Sequence, residues 1–114
     1  MKLEFFYVPT SDLPATLALY RDSFGFNELW REGETTAGLS APDGNVNVML
    51  DVDPEAASGP LFSVDLVADF HANRPGGLEV LLAPAAIPGG FLASYREPGG
   101  SVFYVIDQST ENKA

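Results

Sequence analysis

The chain has 114 residues, which is long enough for one domain with a buried core. Six basic and sixteen acidic residues give a net charge of −10 without any lysine–arginine cluster, which argues against nucleic acid or an anionic membrane as a partner. The absence of cysteine excludes disulfides and thiolate metal sites. No apolar run is long enough to cross a bilayer and no signal-peptide pattern is present, so we expect a cytoplasmic protein.

The first half of the chain predicts a strand, a helix and three further strands. The stretch at 3–8, LEFFYV, is a short run of apolar and aromatic residues ended by Pro9, as in a strand. Apolar residues then recur at helical spacing between a capping Asp12 and Gly25, which predicts a helix over 13–24. Three strands separated by glycine-containing turns follow: 26–32, 36–41 and 45–52.

The second half repeats this order after a linker at 54–60 that is rich in small residues, proline and glycine. A short connector at 68–77 replaces the full helix and contains a degenerate helix near 68–75. Four strands are predicted in this half: 61–67, 78–83, 90–97 and 101–108. Residues 109–114 are expected to form a frayed tail.

The two halves match as an internal repeat. APDGNVNVMLDV at 41–52 and EPGGSVFYVIDQ at 97–108 both contain proline, a glycine two places later and a run of β-formers that closes on aspartate, Asp51 or Asp107. The matches between the halves shift only where loops or the second helix change in length. We therefore predict a single α+β domain, 1–114, made of two βαβββ modules that span 1–53 and 61–108.

Two motifs carry a resemblance to a known family. SDLPATLALYRDSFGF at 11–26 resembles the helix signature, and YREPGGSVFYV at 95–105 resembles the closing hairpin, of the vicinal oxygen chelate superfamily. This is the glyoxalase, bleomycin-resistance and extradiol-dioxygenase group. The resemblance covers nearly the whole chain. It implies a pair of half-barrels, each with a concave cleft that another module must cover, and from this we expect a homodimer.

The resemblance also implies where a divalent metal would bind, on the first and last strand of each module. Four residues occupy those positions: Leu3, Val48, Leu61 and Tyr104. None offers the imidazole, carboxylate or thiolate that such an ion requires. The only histidine, His71, lies in the predicted connector and is expected to be solvated. We therefore expect neither a metal nor another cofactor. No nucleophile elbow, phosphate loop or dinucleotide fingerprint is present, which favours binding over catalysis.

Alternation along the strands predicts the side chains that line the cleft. In LFSVDLV the face with Ser63 and Asp65 lies opposite a fully apolar face, and Asp65 would offer a carboxylate to a cationic ligand. Aromatic side chains would add stacking and cation–π surfaces. The candidate ligand-binding residues are Phe5, Tyr7, Trp30, Ser63, Asp65, Tyr95 and Tyr104.

One strand gives conflicting indications. In NVNVML the polar face, Asn45 and Asn47, is expected to face the cleft, whereas the repeat register places Val46 and Val48 there. The following DVD carries acidic side chains that are interpreted as a solvated strand end.

The leading hypothesis is a metal-free, bleomycin-resistance-like protein that binds a small cationic or aromatic compound. Two alternatives remain open. One is a lyase, isomerase or dioxygenase of the same superfamily whose metal ligands are not recognised. The other is a dimeric interaction module without a ligand.

Overall fold

A computed structural model describes residues 1–111 of the chain, so the first three residues of the predicted tail at 109–114 are included and its last three lie outside the described part. The described residues form eight strands: β1 Lys2–Thr10, β2 Asn27–Glu32, β3 Thr36–Ser40, β4 Asn47–Val52, β5 Gly59–Ser63, β6 Glu79–Ile87, β7 Gly90–Arg96 and β8 Val102–Ile106. Two short α-helices accompany them, α1 Leu13–Ala18 and α2 Val67–Ala72. The predicted α+β class and the doubled strand–helix–three-strand order are confirmed. Within 1–111, none of the helices has the length and apolar character needed to span a membrane.

The chain divides into two compact units. The first unit is Phe5–Ser58; the second begins at Gly59 and includes residues 1–4. In the first unit the strand order is β2-β3-β4-β1, with β1 parallel to β4. In the second unit the order is β6-β7-β8-β5, with β5 parallel to β8. The four strands of each unit therefore share one order and one pairing pattern, as a repeat requires. The predicted module boundaries are close to this division except at residues 1–4, which group with the second unit.

In the first unit α1 covers one face of the sheet. The Asp12 side chain caps the helix by accepting a hydrogen bond from the Ala15 N–H at 3.1 Å. The core on this face consists of Leu13, Leu17, Ala37, Leu39, Val48 and Leu50. The α-helix is shorter than the predicted 13–24, because Leu19–Ser23 is π-helical. The Phe24 N–H bonds back to the Leu19 carbonyl at 3.0 Å, and the chain then turns at Gly25, whose φ is +78°.

In the second unit α2 covers one face with a core of Val67, Ala93, Tyr95 and Val105. Two predicted strand boundaries here are wrong. β5 ends at Ser63, because the chain bends at Asp65 to start α2 at Val67. β6 runs on to Ile87 instead of ending at 83, because two register shifts against β7 absorb extra residues inside the strand. Two residues that lengthen this part of the second half are therefore taken up as bulges inside β6.

The loops between the last two strands differ by one residue in the two units. Ser40 pairs with Asn47 across a six-residue loop, 41–46, whereas Arg96 pairs with Val102 across a five-residue loop, 97–101. Because side chains alternate along a strand, this difference turns the matched residues of β4 and β8 to opposite faces. The sequence repeat thus holds for strand order but not for the register of the final strand.

Asp107 shows the effect of the one-residue difference in loop length, because its side chain points to the helix side. There it joins three segments of the second unit. Its Oδ2 accepts a hydrogen bond from the Val67 N–H at 2.7 Å, at the start of α2. Its Oδ1 accepts from the Phe91 N–H at 3.0 Å and from the Ser109 N–H and Oγ at 3.1 and 2.8 Å. Burial raises the pKa of Asp107, but the hydrogen bonds from Val67, Ser109 and Phe91 together lower it further, so the pKa lies below the ordinary aspartate value.

Asp107→Asn should lower the free energy of unfolding by about 2–3 kcal/mol at neutral pH, because an amide NH₂ must then face a backbone N–H donor. A depressed folded pKa means that the carboxylate stabilises the fold above its unfolded pKa of about 3.9 and loses this contribution as the pH falls through the folded pKa. Urea unfolding should therefore show a difference between wild type and variant that shrinks on acidification.

Asp51→Asn is the matched control, since Asp51 is the sequence counterpart of Asp107 but bonds only to hydroxyl groups, which can rotate to accept as well as donate. Its expected cost is below about 1 kcal/mol. Equal losses for the two variants would contradict the assigned role of Asp107.

Candidate functional site

The candidate site is the face of the first-unit sheet that α1 does not cover. Core residues Ala37, Leu39, Val48 and Leu50 take the helix side, so alternation turns the intervening residues to the other side. We call this side the open face. It resolves the conflict in the fourth strand, because Asn47 lies on the open face while Val48 packs under α1. The interpretation based on the polar face is correct, and the one based on the repeat register is wrong.

The strand register arranges the open face as three rows that run across the sheet. The aromatic row is Tyr7, Met49, Gly38 and Trp30, which are paired in that order across β1, β4, β3 and β2. The acidic row, towards the C-terminal end of β4, is Asp51, Thr36 and Glu32. The amide row, towards the start of β4, is Asn47, Ser40 and Asn27. Charge, ring surface and neutral polar groups are thus separated along the strand direction.

Asp51 is held in place by two hydroxyl groups. The Tyr7 hydroxyl donates to its Oδ2 at 2.5 Å, and the Thr36 hydroxyl donates to its Oδ1 at 2.6 Å. Tyr7 is only 3% exposed, whereas Asp51 is half-buried. Within residues 1–111 no lysine or arginine forms an ion pair with Asp51. The carboxylate therefore has a fixed orientation and no cationic partner in the described chain.

The side chains of Trp30 and Phe5 contact each other on the open face. A Cβ atom on Gly38 would lie 2.3 Å from Cε2 of Trp30, so the indole rests directly on the glycine backbone. The rings of Phe5 and Trp30 meet edge to face, with centroids 6.0 Å apart and planes at 83°. Their strands are separated by β4 and β3, so the two side chains reach towards each other over Met49 and Gly38. Both are half-buried and keep ring surface accessible.

Three of the predicted site residues, Phe5, Tyr7 and Trp30, thus meet on one face. Two others, Ser63 and Tyr104, belong to the second unit and lie on the face opposite α2, where Leu61 pairs with Tyr104. Tyr104 is buried and Ser63 is half-buried, with its Oγ 3.4 Å from Glu4 Oε2. Their proposed contact with a ligand stays a prediction.

The placement of Asp65 and Tyr95 on a cleft face is wrong. Asp65 is exposed in the bend that follows β5, so the alternation from which it was placed does not apply. Tyr95 is fully buried in the core on the α2 side, because β7 turns Ala93 and Tyr95 together towards the helix. Burial raises the pKa of Tyr95, and the charge of Arg74 offsets part of that effect.

His71 is not the plain solvated loop residue that was expected. It lies in α2, half-buried, and its Nδ1 is 2.8 Å from the Tyr95 hydroxyl. The two rings also stack, with centroids 5.9 Å apart. The contacts between His71 and Tyr95 hold α2 against β7. In the part of the chain that the structure describes, His71 therefore has a packing role.

No protein-family model matches the sequence, and no curated protein is significantly similar to it. A Legionella pneumophila protein described as an NAD-dependent benzaldehyde dehydrogenase matches with a TM-score of 0.73 at 12% identity, over 90% of this chain and 96% of that one. A glyoxalase/bleomycin resistance protein/dioxygenase superfamily member from Vibrio splendidus matches with a TM-score of 0.56 at 16% identity, over 90% and 96%.

The Mn(II)-bound glyoxalase from Novosphingobium aromaticivorans matches with a TM-score of 0.57 at 22% identity, over 95% of this chain but 39% of that one. This chain has the glyoxalase/bleomycin-resistance fold. The resemblance drawn from the two sequence motifs is therefore confirmed at the level of the fold. Because the identities are low, the likeness extends to architecture and not to activity.

The glyoxalase-like fold raises the question of a metal, and the side chains present do not fit one. Leu3, Val48, Leu61 and Tyr104 carry no suitable donor, and Val48 in addition points to the helix side. Met49 takes the open-face position instead and offers only a weak thioether ligand. Within residues 1–111 no three histidine, cysteine, aspartate or glutamate side chains are grouped so that they could hold a metal ion.

Sequence reasoning missed the carboxylate of this site. Asp51 was interpreted as part of a solvated strand end, and Thr36 and Gly38 were not considered. The signal was present in NVNVMLDV, where Asn45, Asn47 and Asp51 share one alternating face, and following that face would have led to Asp51. The contacts from Tyr7 and Thr36 depend on strand pairing, which the sequence does not state.

Gly38→Ala should displace Trp30, because the added Cβ cannot occupy the space of the indole ring. The backbone of Gly38 does not have a positive φ, so the expected effect is local. Trp30 is the only tryptophan, and its fluorescence emission should therefore shift to longer wavelength as the ring becomes more solvated. Gly76→Ala is the control, since nothing lies within 4 Å of an added Cβ there. An unchanged emission maximum for Gly38→Ala would contradict the packing described.

Proposed function

We propose that the protein binds a small molecule that carries an aromatic ring and a positive charge on the open face of the first unit, without a metal. The observation that supports this most directly is Asp51, a carboxylate that Tyr7 and Thr36 orient, that has no ion-pair partner in the described chain and that lies one row from Trp30 on the open face. Asp51 takes the role first assigned to Asp65.

Charge favours a cation over other ligands. The chain carries a net charge of −10, which raises the local concentration of cations near the surface. Glu32, in the acidic row, adds a second negative charge to the same edge of the open face. A half-buried carboxylate interacts with a cation more strongly than the about 0–1 kcal/mol of an exposed pair. An anionic ligand would meet repulsion at this edge.

Aromatic contacts supply the remaining binding energy. Trp30 lies in the row next to that of Asp51 and contacts Phe5, so one ligand can stack on the Trp30 ring while its charge reaches the carboxylate. Such stacking or cation–π contacts contribute about 0.5–2 kcal/mol each. Tyr7 is buried, and its part is to position Asp51 rather than to offer ring surface.

Titrations that follow Trp30 fluorescence test this proposal with simple aromatic probes. Benzylamine and benzamidine should quench or shift the emission and bind more weakly as salt rises, because the interaction is partly electrostatic. Benzoate should not bind. Asp51→Asn should weaken both cations about tenfold, or about 1.4 kcal/mol. Asp65→Asn, which removes an exposed carboxylate of the second unit, is the control and should change neither affinity. Binding of benzoate equal to that of the cations would contradict the proposal.

An enzyme of the same superfamily is the alternative function, and metal content separates the two. We expect elemental analysis of the gel-filtered protein to find less than one zinc, iron, nickel or manganese ion per chain. The basis is the donor chemistry of Leu3, Val48, Leu61 and Tyr104. A stoichiometric metal that persists through gel filtration would favour the enzyme and contradict the metal-free proposal.

The homodimer and the cytoplasmic location remain proposals. The homodimer is supported by exposed apolar side chains on β6, where Val80, Leu81 and Leu82 are each about 40% exposed and follow one another in the chain. β6 pairs only with β7 within the second unit, so its other edge is available to a second copy. A dimer that forms without any ligand effect on Trp30 would favour the third alternative, an interaction module.

A further inference from the structure

We infer that the open face selects one kind of cation, a planar amidinium or guanidinium attached to a ring, and binds it in one orientation. The planar N–H fork would pair with Asp51, the ring would lie on the aromatic row, and a hydrogen-bonding group at the far end would reach the amide row. This inference rests on the proposed function, and it adds the chemical class of the ligand and the direction in which it lies.

The remaining acceptor positions on Asp51 favour a cation with two parallel N–H groups, here called a fork, over a single ammonium group. A carboxylate has about four lone-pair positions, two on each oxygen. Thr36 occupies one position on Oδ1 and Tyr7 occupies one on Oδ2, so one position remains on each oxygen. Two parallel N–H groups of an amidinium or guanidinium match this pair of positions, whereas an ammonium ion directs its N–H groups tetrahedrally.

Asp107 is a carboxylate of the same chain whose described hydrogen bonds all lie inside the fold. Three donors bond to its Oδ1 and one to its Oδ2, and all of them come from the protein. It is also 2% exposed, so no ligand can approach it. Asp51, its counterpart in the repeat, is half-buried and keeps an acceptor position on each oxygen. The two carboxylates thus have opposite uses, and only Asp51 is built to receive a donor from outside.

The amide row fixes the other end of the ligand. Asn47 lies on the same face of β4 as Asp51, four residues away, so their Cα atoms are about 13 Å apart, with Met49 between them. Asn47 and Ser40 are half-buried, and no hydrogen bond from their side chains to another group is found within residues 1–111. One ring with substituents at opposite ends fits this spacing once the lengths of the side chains are subtracted.

Titration calorimetry with four small molecules tests whether Asp51 binds two parallel N–H groups of the ligand. Benzamidine should bind wild type about tenfold more tightly than benzylamine, which has a single ammonium group, and benzamide, the neutral analogue, should bind more weakly still. Benzamidine should also lose more affinity than benzylamine in Asp51→Asn, because it alone uses both oxygens. 4-Carbamoylbenzamidine should bind more tightly than benzamidine, and Asn47→Ala should remove that gain. Asn45→Ala is the matched control, because Asn45 precedes β4 and its side chain bonds to Asp43.

The outcomes separate this inference from the proposed function. Equal affinities for benzamidine and benzylamine, both lowered by Asp51→Asn, would overturn the fork while the cation-binding proposal stands. A carbamoyl gain that survives Asn47→Ala, or that Asn45→Ala removes equally, would overturn the orientation. Failure of every cationic probe to bind would overturn both.

Discussion

The four strands of each unit are accompanied by one short α-helix, and that helix covers one of their two faces. Side chains alternate between the faces of a strand, so the helix decides which half of the strand residues form a core. In the first unit this assigns Ala37, Leu39, Val48 and Leu50 to the core and turns their neighbours outwards. The composition of the open face follows from this single constraint, because its residues are the ones that α1 leaves uncovered.

The limits of prediction follow from the same alternation. Hydrophobic spacing, turns and the internal repeat were enough to predict the fold, since strand order depends on patterns that the sequence carries locally. The face of each strand was harder to predict, because it depends on where pairing begins. Tyr95 and Asp65 were misplaced for this reason: β7 turns Tyr95 under α2, and β5 stops before Asp65. Phe5 and Tyr7 share a face because β1 alternates regularly along its pairing with β4, and the register shift beside Trp30 in β2 still leaves Trp30 opposite Gly38.

The two units use equivalent carboxylates for different purposes. Asp107 joins the start of α2 to β7 and to the segment after β8, and the energy of its four hydrogen bonds stabilises the second unit. Within residues 1–111 the Asp51 side chain forms two hydrogen bonds, both with hydroxyl groups, and one of these comes from Tyr7.

The one-residue difference between loops 41–46 and 97–101 indicates how a duplicated module diverges. Point substitutions change a surface one side chain at a time. A change in turn length instead exchanges the two faces of a whole strand in one event, so residues that were selected for a core become exposed and exposed ones become internal. Such an event creates a new surface chemistry from an unchanged strand sequence. After a module has been duplicated, a change in turn length can therefore alter its surface even when the residues of the strand stay the same.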